Sequence, residues 1–334
     1  MSKIDIISGF LGAGKTTLIK KLIAEAYQNE KIVLIENEFG EIGIDGTFLK
    51  DSGVTINEMN SGCICCSLVG DFETSLKEVL DTYHPDRVII EPSGVGKLSD
   101  VIKAVSTINS DEMELDNFIT VVDAKKCRMY TKNFGEFYNN QVEHASLIVL
   151  SRSQDLTEFQ LKECLDILKG LNDHSPIITT AWDKLNGLDI INACEVNIQE
   201  ELLHEHEHHH HHDHGHDHHH EHGPDCTCGC HDHDHEHGHH HADDVFTSWG
   251  QETAKKYDRG QMQMTLDVLA HSEDYGMILR AKGMVPDTKG GWIYFDLVPG
   301  EFELRDGEPD VTGRLCVIGS ELKEDKLAEL FGLN

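Results

Sequence analysis

The run Gly9-Phe10-Leu11-Gly12-Ala13-Gly14-Lys15-Thr16-Thr17 fits the spacing G-x-x-x-x-G-K-[ST]. Glycines in such a loop let backbone N–H groups wrap around phosphate oxygens, and a following helix turns its positive end toward them. In that chemistry Lys15 reaches the β- and γ-phosphates and the Thr16 hydroxyl joins a Mg²⁺ shell. Gly9, Gly12, Ala13, Gly14 and Thr17 complete the candidate cradle. An ordinary glycine-rich turn is the plainer alternative. A second group is Cys63-Ile64-Cys65-Cys66, three thiols within four residues. Cys63 and Cys65 face the same way in an extended segment, and a turn brings Cys66 round to them. Three thiolates suit Zn²⁺ or Cu(I) and leave a fourth position for another ligand or a client. Buried thiols acting as small apolar side chains are the alternative.

Two acidic stretches could serve the same site. Glu36-Asn37-Glu38-Phe39-Gly40-Glu41 follows an apolar run and leads on to Asp45. Acids and glycines after a strand are where an α/β sheet puts ligand loops. Glu36 and Glu41 are therefore metal candidates, Glu41 is a candidate catalytic group, and the loop is a candidate nucleotide-sensing switch. A solvated acidic loop is the competing reading. Glu91, in Arg87-Val88-Ile89-Ile90-Glu91-Pro92-Ser93-Gly94, ends another apolar run. There it would assist Mg²⁺, and the Gly94 amide would touch the γ-phosphate.

These groups need a scaffold. Apolar runs at Ile4–Ile7, Lys31–Ile35, Arg87–Gly94, Phe118–Ala124, Ala145–Leu150 and Ile177–Thr180 read as buried strands. Helical spacing covers Thr17–Ala24, Asp71–Tyr83 and Glu158–Leu168, with Phe72, Leu76, Val79 and Leu80 on one face of the second. Strands alternating with helices predict an α/β fold, a P-loop domain with a doubly wound, mostly parallel sheet. After residue 245 the pattern changes. Strands are expected at Ser248–Tyr257, Met277–Val285, Trp292–Val298 and Gly313–Gly319. Helices are expected from an Asp258 cap to Ala270 and over Lys323–Phe331. That is a small α+β domain with a mostly antiparallel sheet and no catalytic constellation of its own. Cys316 reads as a core cysteine.

Composition narrows the function classes. The 334 residues allow two domains, and the net charge of −32 argues against nucleic-acid or anionic-membrane partners. Met1 leads almost directly into a strand, and no apolar run approaches the ~20 residues of a membrane span. The expected location is cytoplasmic, where ten cysteines stay reduced and clustered ones act as ligands.

From His204 to His241 the chain is almost wholly His, Asp, Glu and Gly around Cys226-Thr227-Cys228-Gly229-Cys230. With no apolar side chains to bury, nothing offsets the entropy of ordering, so a disordered linker is expected. Its imidazoles suit Zn²⁺, Ni²⁺, Co²⁺ and Cu²⁺, and Cys226, Cys228 and Cys230 suit softer ions. His204 opens this tract. Storage or capture of transition metals fits it better than catalysis. The division expected is 1–195 for the P-loop domain, 196–244 for the metal-binding linker and 245–334 for the C-terminal domain.

Taken together, Gly9–Thr17, Glu36–Asp45, Gly62-Cys63-Ile64-Cys65-Cys66, Glu91–Gly94 and Val122-Asp123-Ala124 resemble the CobW-like metal-chaperone GTPases. That family is related to the nickel-insertion GTPases of urease and hydrogenase. Val245-Phe246-Thr247-Ser248-Trp249-Gly250 and Ile278-Leu279-Arg280-Ala281-Lys282-Gly283 look like it too, so the resemblance covers nearly the whole chain. It implies GTP hydrolysis coupled to delivery of a metal to a client metalloprotein. GTP/GDP, Mg²⁺ and Zn²⁺ (or Co²⁺) are then the expected cofactors, and a homodimer is among the arrangements it allows. It also puts Asp123, Arg152 and Gln154 among the nucleotide-binding residues. One departure stands out. Where the family has Asn/Thr-Lys-x-Asp to read guanine, this chain has Ser151-Arg152-Ser153-Gln154, followed by Asp155. A metal buffer with weak NTPase activity and a P-loop small-molecule kinase are the competing functions.

Overall fold

A computed structural model describes residues 1–37, 55–59, 69–108, 112–194 and 242–333. Glu41, Cys63, Cys65, Cys66, His204, Cys226, Cys228 and Cys230 lie outside the described residues.

The N-terminal part runs β1 (Ser2–Gly9), α1 (Lys15–Glu25), β2 (Ile32–Asn37), β3 (Thr55–Met59), α2 (Val69–Tyr83) and β4 (Arg87–Glu91). It continues through α3 (Leu98–Ser106), β5 (Met113–Asp123), α4 (Cys127–Asn133), α5 (Gly135–Glu143) and β6 (Leu147–Ser151). It then adds α6 (Glu158–Leu171), β7 (Ile177–Ile178) and a helix α7 over 187–194. The sheet order is β3-β2-β4-β1-β5-β6-β7, with every neighbouring pair parallel. From β1 the chain first builds toward one edge and later toward the other. The end of β1 is therefore a switch point, where such sheets bind ligands.

Strands covered on both faces read as unbroken apolar runs. β4 and β6 show why: one face of each packs on α1, while the other packs on α2 and α3 for β4 and on α4, α5 and α6 for β6. Ile7, Leu34, Ile89 and Val149 meet Leu18, Ile19 and Leu22 of α1. Ile4, Ile6, Val33, Ile35, Val88 and Ile90 meet Phe72, Leu76, Val79 and Val101 on the opposite side. At the sheet end remote from the loop, Arg87 pairs with buried Asp5 at 2.7 Å. Tyr27 and Asn117 each donate to that same carboxylate at 2.8 Å. Removing Arg87 would strand the Asp5 carboxylate in the interior, which costs about 3–5 kcal/mol.

The C-terminal part holds α8 (Ala242–Val245), β8 (Thr247–Thr253), α9 (Arg259–His271), β9 (Met277–Pro286) and β10 (Trp292–Val298). β11 (Glu301–Gly307), β12 (Gly313–Ser320) and α10 (Glu324–Phe331) follow. Its sheet is antiparallel in the order β11-β10-β9-β12-β8. Asp258 caps α9, accepting from the N–H groups of Gly260 and Gln261. Trp249, Phe295 and Phe331 stack in its core.

The two sheets share a core. Phe10, in the glycine-rich loop, lies 4.5 Å from the Tyr130 ring, and Phe246 lies 5.1 Å from Phe137. Leu279 and Ile318 of the second sheet join this cluster. Truncating Phe10 to alanine would cost about 3–5 kcal/mol. β3 and β11 were not expected from the sequence. β7 stops at Ile178 rather than Thr180, and β8 at Thr253 rather than Tyr257. No helix among the described residues is long and apolar enough to cross a membrane.

Candidate functional site

The loop after β1 has the conformation a phosphate cradle requires. Gly9, Gly12 and Gly14 take φ of +144°, +69° and +108°, a region that favours glycine. A Cβ on Gly9 would also come within 2.4 Å of the Val121 carbonyl oxygen. Gly14 caps α1, whose first turn holds no acidic side chain to occupy its N–H groups. The helix thus presents its positive end to the loop.

Lys15 and Thr16 open that helix and meet Glu91 at the end of β4. Lys15 Nζ is buried, donates to the Gly9 carbonyl at 3.1 Å and lies 3.9 Å from Glu91. Thr16 Oγ1 is 3.3 Å from both Glu91 oxygens. Burial pushes the Glu91 carboxyl above the usual carboxylate range, and Lys15, Arg280 and the Thr16 hydroxyl oppose that shift. Glu36, buried at the end of β2, stands in register with Glu91 on the adjacent strand. One hydroxyl and two carboxylates at one sheet edge are hard oxygen donors, the set Mg²⁺ takes. Gly94 packs on the loop, where a Cβ would lie 3.0 Å from the Leu11 nitrogen. Gln141 donates to the Gly94 and Gly96 carbonyls at 3.1 and 2.8 Å and holds that turn in place.

Beyond the loop, Arg152 ion-pairs with buried Asp123 and donates to the Gly12 carbonyl at 3.2 Å. Burial raises the Asp123 carboxyl, and Arg152 opposes it. Arg152 therefore faces the phosphate loop. Gln154 sits exposed in a short 3₁₀ turn, and Asp155 is engaged by Lys125 at 3.0 Å. Trp182 escaped the sequence reading. Its indole donates to the Leu150 carbonyl at 2.8 Å, and its ring lies 3.2 Å from where a Gly14 Cβ would stand.

The pocket over this loop encloses about 550 Å³. Lys15, Thr16, Thr17 and Glu91 line one side, and Arg280, Lys282, Val298 and Arg305 of the second sheet line the other. A Cβ on Gly12 would come within 2.2 Å of Val298 Cγ1. The C-terminal part, read from the sequence as carrying no catalytic constellation of its own, contributes its β9–β11 strands as a wall of the pocket. Only Arg280 and Lys282 carried any sequence signal, as part of the family-like stretch Ile278–Gly283.

Among the described residues no cluster of three or more His, Cys, Asp or Glu side chains could hold a metal. Cys127, Cys164, Cys194 and Cys316 are buried free thiols. β3 pairs with β2 up to Asn37 and Met59, at the sheet edge that carries the loop. Cys63 follows Met59 by four residues.

A family profile described as CobW/HypB/UreG, nucleotide-binding domain, matches residues 3–179. The zinc chaperone YeiR of Escherichia coli (strain K12) is 34% identical over 158 residues, 47% of this chain and 48% of its own. The zinc chaperone CobW of a Sinorhizobium species is 32% identical over 205 residues, 53% of this chain and 58% of its own. The chain spans about half the length of these curated relatives. The crystal structure of the Zn(II)-bound YjiA GTPase from E. coli aligns over 99% of this chain and 98% of that one, at 19% identity and a TM-score of 0.45.

Proposed function

Because the chain belongs to the CobW/HypB/UreG nucleotide-binding family, we propose that it is a GTP-hydrolysing metallochaperone. It carries zinc, or failing that cobalt, and hands it to a client metalloprotein. The observation that carries the nucleotide half is the junction of Lys15, Thr16 and Glu91 at the switch point of the sheet. The metal half rests on Cys63, Cys65 and Cys66 and on the word zinc in the names of both relatives.

In this reading the glycine loop binds the polyphosphate through its N–H groups. Lys15 leaves the Gly9 carbonyl for the β- and γ-oxygens. The Thr16 hydroxyl and the Glu91 and Glu36 carboxylates would hold Mg²⁺. When bound, that ion neutralises charge developing between the β- and γ-phosphates. Glu41 is the catalytic candidate of the Glu36–Glu41 switch. Arg152 and Asp123 shape the far side, and Gln154 leaves guanine selectivity weaker than a charged aspartate would. Cys63, Cys65 and Cys66 hold the transferable ion. His204, Cys226, Cys228 and Cys230 belong to the capture tract.

The His-rich tract favours one competing reading, a metal buffer with weak NTPase activity. Deleting residues 204–241 separates the two. A chaperone loses bound ions but keeps kcat for GTP within about threefold, under ~1 kcal/mol in barrier. Metal analysis of the deleted protein, purified without a metal column, shows which ion the folded part retains. A hundredfold loss of turnover, or no retained ion, would reject the chaperone reading.

A further inference from the structure

The phosphate pocket is electropositive in a chain that is otherwise strongly acidic. Six cations and three carboxylates line it, whereas the whole chain carries a net charge of −32. Half of those cations come from the second sheet. On β9, Arg280 and Lys282 are two residues apart and so share one face. Lys282 stands opposite Asp296 of β10, 3.9 Å away, and Arg305 of β11 reaches the same carboxylate at 2.6 Å. One aspartate thus orders two cations and leaves the group positive.

The position of this group is fixed by contacts on either side. Val298, at the end of β10, abuts Gly12. Lys126 donates to the Pro299 carbonyl in the β10–β11 turn, and Lys125 pairs with Glu301 at 3.1 Å. These contacts clamp the hairpin onto the phosphate loop. Arg280 is close enough for its charge to counter the upward shift of the Glu91 carboxyl, which itself touches Thr16. The guanidinium lines the same pocket as Lys15, Thr16 and Glu91.

We infer that Arg280, with Lys282 and Arg305, binds the terminal phosphate of the nucleoside triphosphate, so that the C-terminal sheet is the second half of the nucleotide site. The inference rests on the GTPase reading above and deepens it. In hydrolysis the water oxygen forms a bond to the γ-phosphorus, and the bond from that phosphorus to the β–γ bridging oxygen breaks. Its electron pair stays on GDP, one water proton stays on the phosphate formed and the other is released to solvent. Negative charge grows on the bridging and γ-oxygens, and a pre-placed guanidinium stabilises it without reorganisation. A diphosphate lacks the group that Arg280 would meet.

The test uses the full chain with fluorescent GDP and a fluorescent non-hydrolysable GTP analogue, alongside GTP turnover. Arg280→Ala should weaken the triphosphate at least tenfold, leave GDP within threefold and lower kcat at least a hundredfold. Arg280→Lys should recover part of the loss. Arg305→Ala should show the same pattern more weakly, and it carries the test if Arg280→Ala fails to fold. Arg314→Ala, on the same sheet but outside the pocket, should match wild type. Wild-type behaviour of both pocket variants would overturn the inference. Equal weakening of GDP and triphosphate would also overturn it, by moving the contact to the inner phosphates. Lys15→Ala distinguishes the underlying reading: if it binds nucleotide as wild type does, the phosphate-loop assignment itself fails, and this inference fails with it.

Discussion

The Thr16 hydroxyl lies 3.3 Å from each oxygen of the Glu91 carboxylate, joining the first turn of a helix to the end of a neighbouring strand. The contact holds a buried carboxylate where a divalent ion would bind, and it has a measurable cost.

Burial holds the Glu91 carboxyl above its ordinary range. The folded state therefore keeps the Glu91 proton more tightly than the unfolded chain does. That contribution is present below the unfolded value and is lost as pH rises through the folded one. Above the folded value the ionised group opposes folding. Glu91→Gln should raise the nucleotide-free Tm, by about 2–4 °C for each kcal/mol relieved. It should also weaken Mg²⁺-dependent nucleotide binding at least tenfold. Thermal melts without nucleotide and titrations with and without Mg²⁺ check both parts. A lower Tm would contradict the account.

Gly12 and Val298 provide a second test. Gly12 sits at φ +69°, and an added methyl would overlap Val298 Cγ1. Gly12→Ala should destabilise the protein by about 1–3 kcal/mol through strain and overlap. Val298→Ala in the same chain should return about 0.5–2 kcal/mol of that, seen as coupling in a double-mutant cycle by urea unfolding. Strictly additive effects would show that the second sheet does not press on the loop.

Much of the first sheet was legible because parallel strands buried on both faces write themselves as apolar runs. Val88-Ile89-Ile90 and Leu147-Ile148-Val149-Leu150 are such runs. β3 was not legible. Thr55-Ile56-Asn57-Glu58-Met59 is a short edge strand with one β-branched apolar residue, and pairing with β2 decides its state. β11 did leave a signal that went unread: Pro299-Gly300 makes a tight turn with Gly300 at φ +76°, and Phe302 and Leu304 alternate with charges. In the candidate site, the loop motif and the strand-end Glu91 are local in sequence and were readable. Arg280, Lys282, Val298 and Arg305 were not readable as site residues. They reach the pocket only through the docking of one sheet on another, which no local pattern encodes.

Nucleotide choice follows from the loop after β6. Gln154 is exposed, and Asp155 is drawn away by Lys125. A site that reads guanine with a buried carboxylate rejects adenine strongly, because its acceptor is left unpaired. Here the preference for GTP over ATP should be less than about a hundredfold. Gln154→Asp should sharpen it about tenfold or more. Competition binding with the two triphosphate analogues measures the ratio. Equal affinities or tighter ATP would refute the guanine assignment.

The central claim is that the metal site and the nucleotide site are coupled. β2 and β3 end together at the sheet edge that carries the phosphate loop, and Cys63 follows Met59 by four residues. A metal held more tightly in one nucleotide state must shift nucleotide affinity by the same factor. The direct measurement is Zn²⁺ titration of the protein lacking 204–241, once with GDP and once with a non-hydrolysable GTP analogue. Replacing Cys63, Cys65 and Cys66 by serine provides the control and should abolish the high-affinity site. The account predicts that the two affinities differ by about 5–150-fold, a coupling of ~1–3 kcal/mol. Identical Zn²⁺ affinity in the two states would contradict it and leave a passive metal buffer.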